Sequence, residues 1–148
     1  MKSKLVNAGQ QRTFVVVLDT GDEASSCLLR FAKEQRLGAA QLTAIGAFSD
    51  AVLGYFDWEK KDYRRIPVRE QVEVVSLVGD VALDPKGEPA LHAHVVLGRS
   101  DGAALGGHLL EAHVRPTLEV VITESPAHLR KRKDPESGLA LIDLDAGS

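Results

Sequence analysis

Phe14-Val15-Val16-Val17-Leu18 is a short apolar, β-branched run, and it predicts a buried strand that ends at Asp19-Thr20-Gly21. Thr20 and Glu23 stand at the spacing of a capping box, in which each side chain satisfies a free backbone N–H near the start of a helix. Ala24, Cys27, Leu28 and Phe31 then recur at helical spacing and make one apolar face. Gly38 is a suitable stop, so the pattern predicts a helix from about Asp22 to Arg36.

Beyond Ala39 the period changes from helical to alternating. Gln41–Phe48 and Val52–Trp58 read as two strands joined by a tight hairpin at Ser49-Asp50-Ala51. Lys60-Lys61-Asp62 is a polar turn. Glu70–Leu83 is a long strand with a bulge expected at Gly79-Asp80. Asp84–Pro89 and Gly98–Gly102 are turns by composition, and they bracket a strand over Ala90–Leu97. Ala103–Leu110 fits neither period well because of Gly106-Gly107, whereas Thr117–Thr123 alternates cleanly. Leu139–Ile142 suggests a last short strand. One helix and about seven strands with short links give an α+β domain with a mainly antiparallel sheet packed against one long helix. The expected division is an N-terminal arm over 1–11, a single domain over 12–143 and a tail over 144–148.

Composition narrows the class. In 148 residues, 44% are hydrophobic and 26% charged, the mix of a globular chain. A domain of this size buries roughly 70% of its unfolded surface, so no metal is needed merely to hold it together. The net charge of −3 gives no general attraction to phosphate backbones. A single cysteine, an N-terminus without a signal-like apolar run and no stretch of ~18 apolar residues together predict a cytoplasmic location.

The histidines carry the chemistry. Four of the five lie between Leu91 and Val114. His92 and His94 alternate on a strand, so both rings leave the same face with Cα atoms roughly 6.5 Å apart. A solvated strand face carries such a pair equally well. His108 follows Gly106-Gly107, where missing side chains admit another backbone or a ligand. It would complete a set of three imidazoles, a donor set that suits zinc, or less well nickel, copper or iron, with a fourth position open. His113 reads as a surface or loop residue, and His128 is remote from the cluster. Asp80, Glu88 and Glu111 are candidates to orient a ligand or act as base, with nothing to choose among them.

Other signals are weaker. Arg130-Lys131-Arg132-Lys133 could meet phosphates, but a short basic run flanked by acids is usually a solvated turn. Cys27 sits on the apolar helix face and reads as a core thiol. No P-loop, dinucleotide fingerprint or nucleophile elbow is present.

In this order the segments resemble the PPC domain, the plant-and-prokaryote conserved domain also found in plant AT-hook nuclear-localised proteins. The resemblance rests on Gly21-Asp22-Glu23, Leu29-Arg30-Phe31-Ala32, the stretch Leu42–Ala51, Val72–Gly79, His92-Ala93-His94-Val95, Gly106-Gly107-His108-Leu109 and Pro116–Val120, and it spans about Thr13 to Ile142. It implies an antiparallel sheet with a packed helix, a homotrimer, and a zinc-type ion at His92, His94 and His108. Plant relatives lack these histidines, so the metal would not be required for the fold. Bacterial members are commonly described as DNA-binding, yet the arginine-glycine-arginine-proline core of an AT-hook is absent here. The expected function is therefore a homotrimeric metal-binding domain that recognises a small ligand or protein partner. A DNA-associated regulator using Arg130–Lys133 and a zinc-dependent hydrolase are the alternatives.

Overall fold

The computed structural model describes residues 1–7, 11–125 and 129–144, so His128 lies outside the described residues. In chain order the elements are β1 (Lys2–Asn7), β2 (Thr13–Asp19), α1 (Ala24–Glu34), β3 (Ala39–Asp57), β4 (Asp62–Val68), β5 (Val72–Leu83), β6 (Pro89–Gly98), β7 (Ala104–Glu124), β8 (Arg130–Lys133) and β9 (Ala140–Asp143). The strands join in one 9-stranded sheet, antiparallel apart from the single β5–β8 contact. Within the stretch expected to be an N-terminal arm, β1 pairs with β2.

The sheet curls into a circuit. β3 pairs with β5 and β7, and β6 pairs with the same two strands from the other side. Against this sheet α1 packs Ala24, Cys27, Leu28, Phe31 and Ala32, the stripe expected from helical spacing. Phe31 meets Phe14 of β2 edge to face, with ring centroids 5.3 Å apart. Cys27 is buried, and burial raises its thiol pKa, as expected of a core residue rather than a reactive one.

Several expectations change. The helix is short, 11 residues, not long. Its cap is Glu23, whose carboxylate accepts from the backbone N–H of Ser25 and Ser26, while the Thr20 hydroxyl instead bonds the Pro116 carbonyl. The left-handed residue after the helix is Arg36 (φ 54), not Gly38.

No hairpin forms at Ser49-Asp50-Ala51, because β3 runs straight through as 19 residues. Ala51 is buried between Phe48 and Leu53, and the polar pair that looked like a turn is satisfied sideways. Ser49 donates to Asp50 (2.7 Å) and His113 donates to Asp50 (2.8 Å). The pairing of β3 with β7 shifts register at Gly46/Phe48 and Phe48/Asp50. Gly46 is obligatory there, since a Cβ would stand 2.2 Å from the Thr117 carbonyl oxygen.

Likewise β7 is continuous over 21 residues, with Pro116 falling where its pairing to β3 shifts register. The bulge expected at Gly79-Asp80 lies elsewhere, between Val74 and Ser76 against β6 and between Ala44 and Gly46 against β5. Finally, the basic run is a strand, β8, paired with β9, not a solvated turn.

Candidate metal centre

Two hairpins deliver the histidines. Counting back from the β5–β6 turn, Asp80 stands directly opposite His92, and from the β6–β7 turn His94 stands opposite His108. β6 therefore carries both His92 and His94 on its outer face, while Ala93 and Val95 between and beyond them are buried. Gly79 lets β5 lie close under this stretch, since a Cβ there would meet the His92 carbonyl oxygen at 2.6 Å.

The three imidazoles present ligand nitrogens that all lie within 4.8 Å of one another. His92 Nε2 and His94 Nε2 are 3.2 Å apart, close to the ~3.3 Å that separates two nitrogens sharing a tetrahedral zinc at Zn–N of about 2.0–2.1 Å. The His92 and His108 rings stack at 5.2 Å, and His94 meets both edge-on.

Neighbouring groups orient this set. Asp80 Oδ2 lies 3.2 Å from His92 Nδ1. An ionised carboxylate only accepts, so Nδ1 carries the proton and Nε2 keeps its lone pair for a cation. Asp80 Oδ1 is 3.0 Å from the buried ammonium of Lys131. Burial alone would raise the Asp80 pKa, but the bonds from His92 and Lys131 outweigh it and hold the carboxyl below its usual range.

His108 is the most deeply set of the three. Its Nδ1 is buried without a hydrogen-bond partner, an arrangement that costs stability unless something polar meets it. Burial, and then the proximity of His92, His94 and Lys131, lower its pKa to about 4. His94 is lowered by burial first and by His92 second. Neutral imidazole is the ligating form, so both shifts keep the rings ready for a metal at neutral pH. An orphaned nitrogen, a fixed tautomer and low basicity together fit a divalent transition ion. Tyr63 of β4 lies over His108 at 4.7 Å, reaching it across Gly54, where any Cβ would stand 2.8 Å from its ring.

The family model of the Plants and Prokaryotes Conserved (PCC) domain matches residues 6–126. The chain belongs to this family. A plant- and prokaryote-conserved (PPC) protein from Pyrococcus horikoshii is 33% identical, with 96% of this chain and 94% of that chain covered and a TM-score of 0.83. A metal-containing protein from Archaeoglobus fulgidus is 34% identical, with 96% of each chain covered and a TM-score of 0.82. A candidate DNA-binding protein from Bacteroides thetaiotaomicron is 27% identical over 97% of this chain and 98% of that one, at a TM-score of 0.86. Among curated proteins none matches.

Of the remaining candidates, His113 stays apart from this cluster. It lies on β7 rather than in a loop and binds Asp50. Glu111 pairs with Arg65, and Glu88 is exposed in the β5–β6 turn, so Asp80 alone of the three carboxylates serves the triad. Sequence reasoning missed Tyr63, which packs on His108, and the bond of Lys131 to Asp80, both brought to the PCC-domain site from strands distant in the chain. No helix among the described residues is long and apolar enough to cross a membrane.

Proposed function

We propose that residues 12–143 form one metal-binding PCC domain in which His92, His94 and His108 hold zinc or another divalent transition metal, and that three copies assemble as a cytoplasmic homotrimer recognising a small ligand or a protein partner. The observation that carries this is the convergence of three imidazoles from two adjacent strands, with ligand nitrogens within 4.8 Å. A relative described as metal-containing supports it. When bound, such an ion offers an open coordination position that polarises a ligand oxygen or a water. Asp80 fixes the His92 ring, and Tyr63 packs against His108.

Assembly is supported by the outer face of the sheet. Val121, Thr43, Val78 and His94 stand side by side across four strands. Ile45, Val75, Val78, Val96 and Val121 are all more than 40% exposed. An apolar surface of this kind is rare on a monomer and suits a second copy of the chain. Elemental analysis combined with native mass determination tests both halves. One ion per chain and a three-chain mass are expected, with the ion lost from His92→Ala and His94→Ala. Equal metal content in wild type and variants removes the ligand assignment.

DNA binding is the second reading, favoured by relatives described as candidate DNA-binding proteins. In its support only Arg130 and Lys133 of the basic run are at hand, because Lys131 is buried against Asp80 and Arg132 pairs with Asp143. A gel-shift titration at low salt with no retardation ends this reading.

A further inference from the structure

Of the four basic side chains on β8, one turns inward. Lys131 is the single charged residue that is buried among the described residues, with its side chain 5% exposed, whereas Arg130, Arg132 and Lys133 stay at the surface. Its ammonium stands 3.0 Å from Asp80 Oδ1, an oxygen that is itself out of contact with solvent. The other oxygen of the same carboxylate, Oδ2, faces His92 Nδ1 at 3.2 Å. One aspartate thus joins a buried cation on one side to a ring of the triad on the other.

Stability is a poor account of this pair. Two buried charges attract, but desolvating them costs about as much as the attraction returns, and apolar residues of similar volume often serve a fold equally well. The element that delivers the lysine is also lightly built. β8 and β9 have four residues each, and β8 joins the rest of the sheet through the single pairing Leu83↔Arg130. Leu129 adds backbone bonds to Leu83 and Gly38. A two-stranded hairpin of this size is marginal by itself. It lies, moreover, beyond residues 6–126, the stretch that the family model matches.

We propose that Lys131 is a positioning residue of the metal centre: its ammonium locks the Asp80 carboxylate in the orientation that presents His92 Nε2 to a cation, which makes the β8–β9 hairpin part of the site. The inference rests on the metal reading of the triad and deepens it. Without the ammonium, Oδ1 is a buried anionic oxygen that nothing meets, so the carboxylate turns towards water and draws Oδ2 away from Nδ1. His92 then loses the acceptor that keeps its proton on Nδ1 and its Nε2 lone pair free. Charge by itself acts in the opposite sense, because removing a positive group near the triad strengthens the binding of a cation. The sign of the effect therefore separates positioning from charge.

Lys131→Met keeps an unbranched apolar stem and removes the ammonium. In chelator competition on the full chain, zinc affinity is expected to fall about tenfold in this variant, with no further fall when Lys131→Met is added to Asp80→Ala. Nitrogen-15 spectra of the metal-free chain should place the His92 proton on Nδ1 in wild type and divide it between both ring nitrogens in Lys131→Met. A measurement on wild type needs no substitution: coupling is reciprocal, so zinc should slow amide exchange along β8 and leave β1, at the far edge of the sheet, unchanged. Equal or tighter zinc binding in Lys131→Met, a second fall of the same size on top of Asp80→Ala, an unaltered His92 spectrum, or β8 exchange indifferent to zinc overturns the proposal. The two readings fail separately. Zinc held by wild type with any of those results overturns the role of Lys131 alone, while a wild-type chain that takes up no zinc removes the metal centre and leaves the metal-free ring spectra to decide whether Lys131 sets His92.

Discussion

His108 and His113 lie on one strand, five residues apart, and their surroundings drive them in opposite directions. His108 is half-buried beside two other imidazoles and an ammonium, with no acceptor at Nδ1, and its pKa falls to about 4. His113 is bonded to the Asp50 carboxylate in a more open position, and its pKa rises above the ordinary value. The same side chain is thus prepared as a neutral electron-pair donor in one place and as a cation in an ion pair in the other. What separates them is first burial, which lowers His108, and then the partner that the neighbouring strand supplies: a histidine opposite His108, an aspartate bonded to His113.

The comparison breaks most sharply through metal content. His94→Ala or His108→Ala should lose the ion almost completely, whereas His113→Ala should retain it, as read by elemental analysis. Asp80→Ala removes the acceptor that orients His92, and metal affinity should fall by about 10–100-fold in competition with a chelator.

Glu23 stands between the two regions, bridged to His113 and bonded to Ala112 as well as capping α1. Glu23→Ala should cost about 1–2 kcal/mol in chemical denaturation, and Thr20→Ala less, since Thr20 does not cap the helix.

The smallest and most direct check is proton NMR of the metal-free protein. The His108 ring should titrate near pH 4 and the His113 ring above its reference value of about 6.5, with Asp50→Asn bringing His113 back down. The signs for stability follow. His113 contributes below about pH 6.5 and loses that contribution as pH rises through its raised pKa. His108, whose pKa is depressed, destabilises the metal-free fold progressively as pH falls from about 6.5 towards 4, because the unfolded chain binds the proton more readily.

Part of the site was legible in strand alternation, which puts His92 and His94 on one face. Counting back from the turns did not find their partners: a turn over Asp84–Pro89 puts Asp80 opposite Ala93, and one over Gly98–Gly102 puts His94 opposite Gly106. In the structure Pro89 and Gly98 both belong to β6, so Asp80 meets His92 and His94 meets His108. Tyr63 and Lys131 lay beyond such counting. They arrive on β4 and β8, whose distance from the triad in sequence bears no relation to their distance in space. Ser49-Asp50-Ala51 misled for a related reason, because a polar triplet reads as a turn unless its cross-strand partner, His113, is known.

By itself the sequence determined what short-range periodicity can encode: an amphipathic helix over part of Asp22–Arg36, alternating strands, and two histidines that must share a face because strand side chains repeat every second residue. Only the tertiary structure decided that β3 and β7 run unbroken, and that the basic run pairs and buries Lys131 against Asp80. Those outcomes depend on which strands become neighbours and in what register. Hydrogen bonds and burial between segments far apart in the chain settle that choice, and local preference carries no record of it.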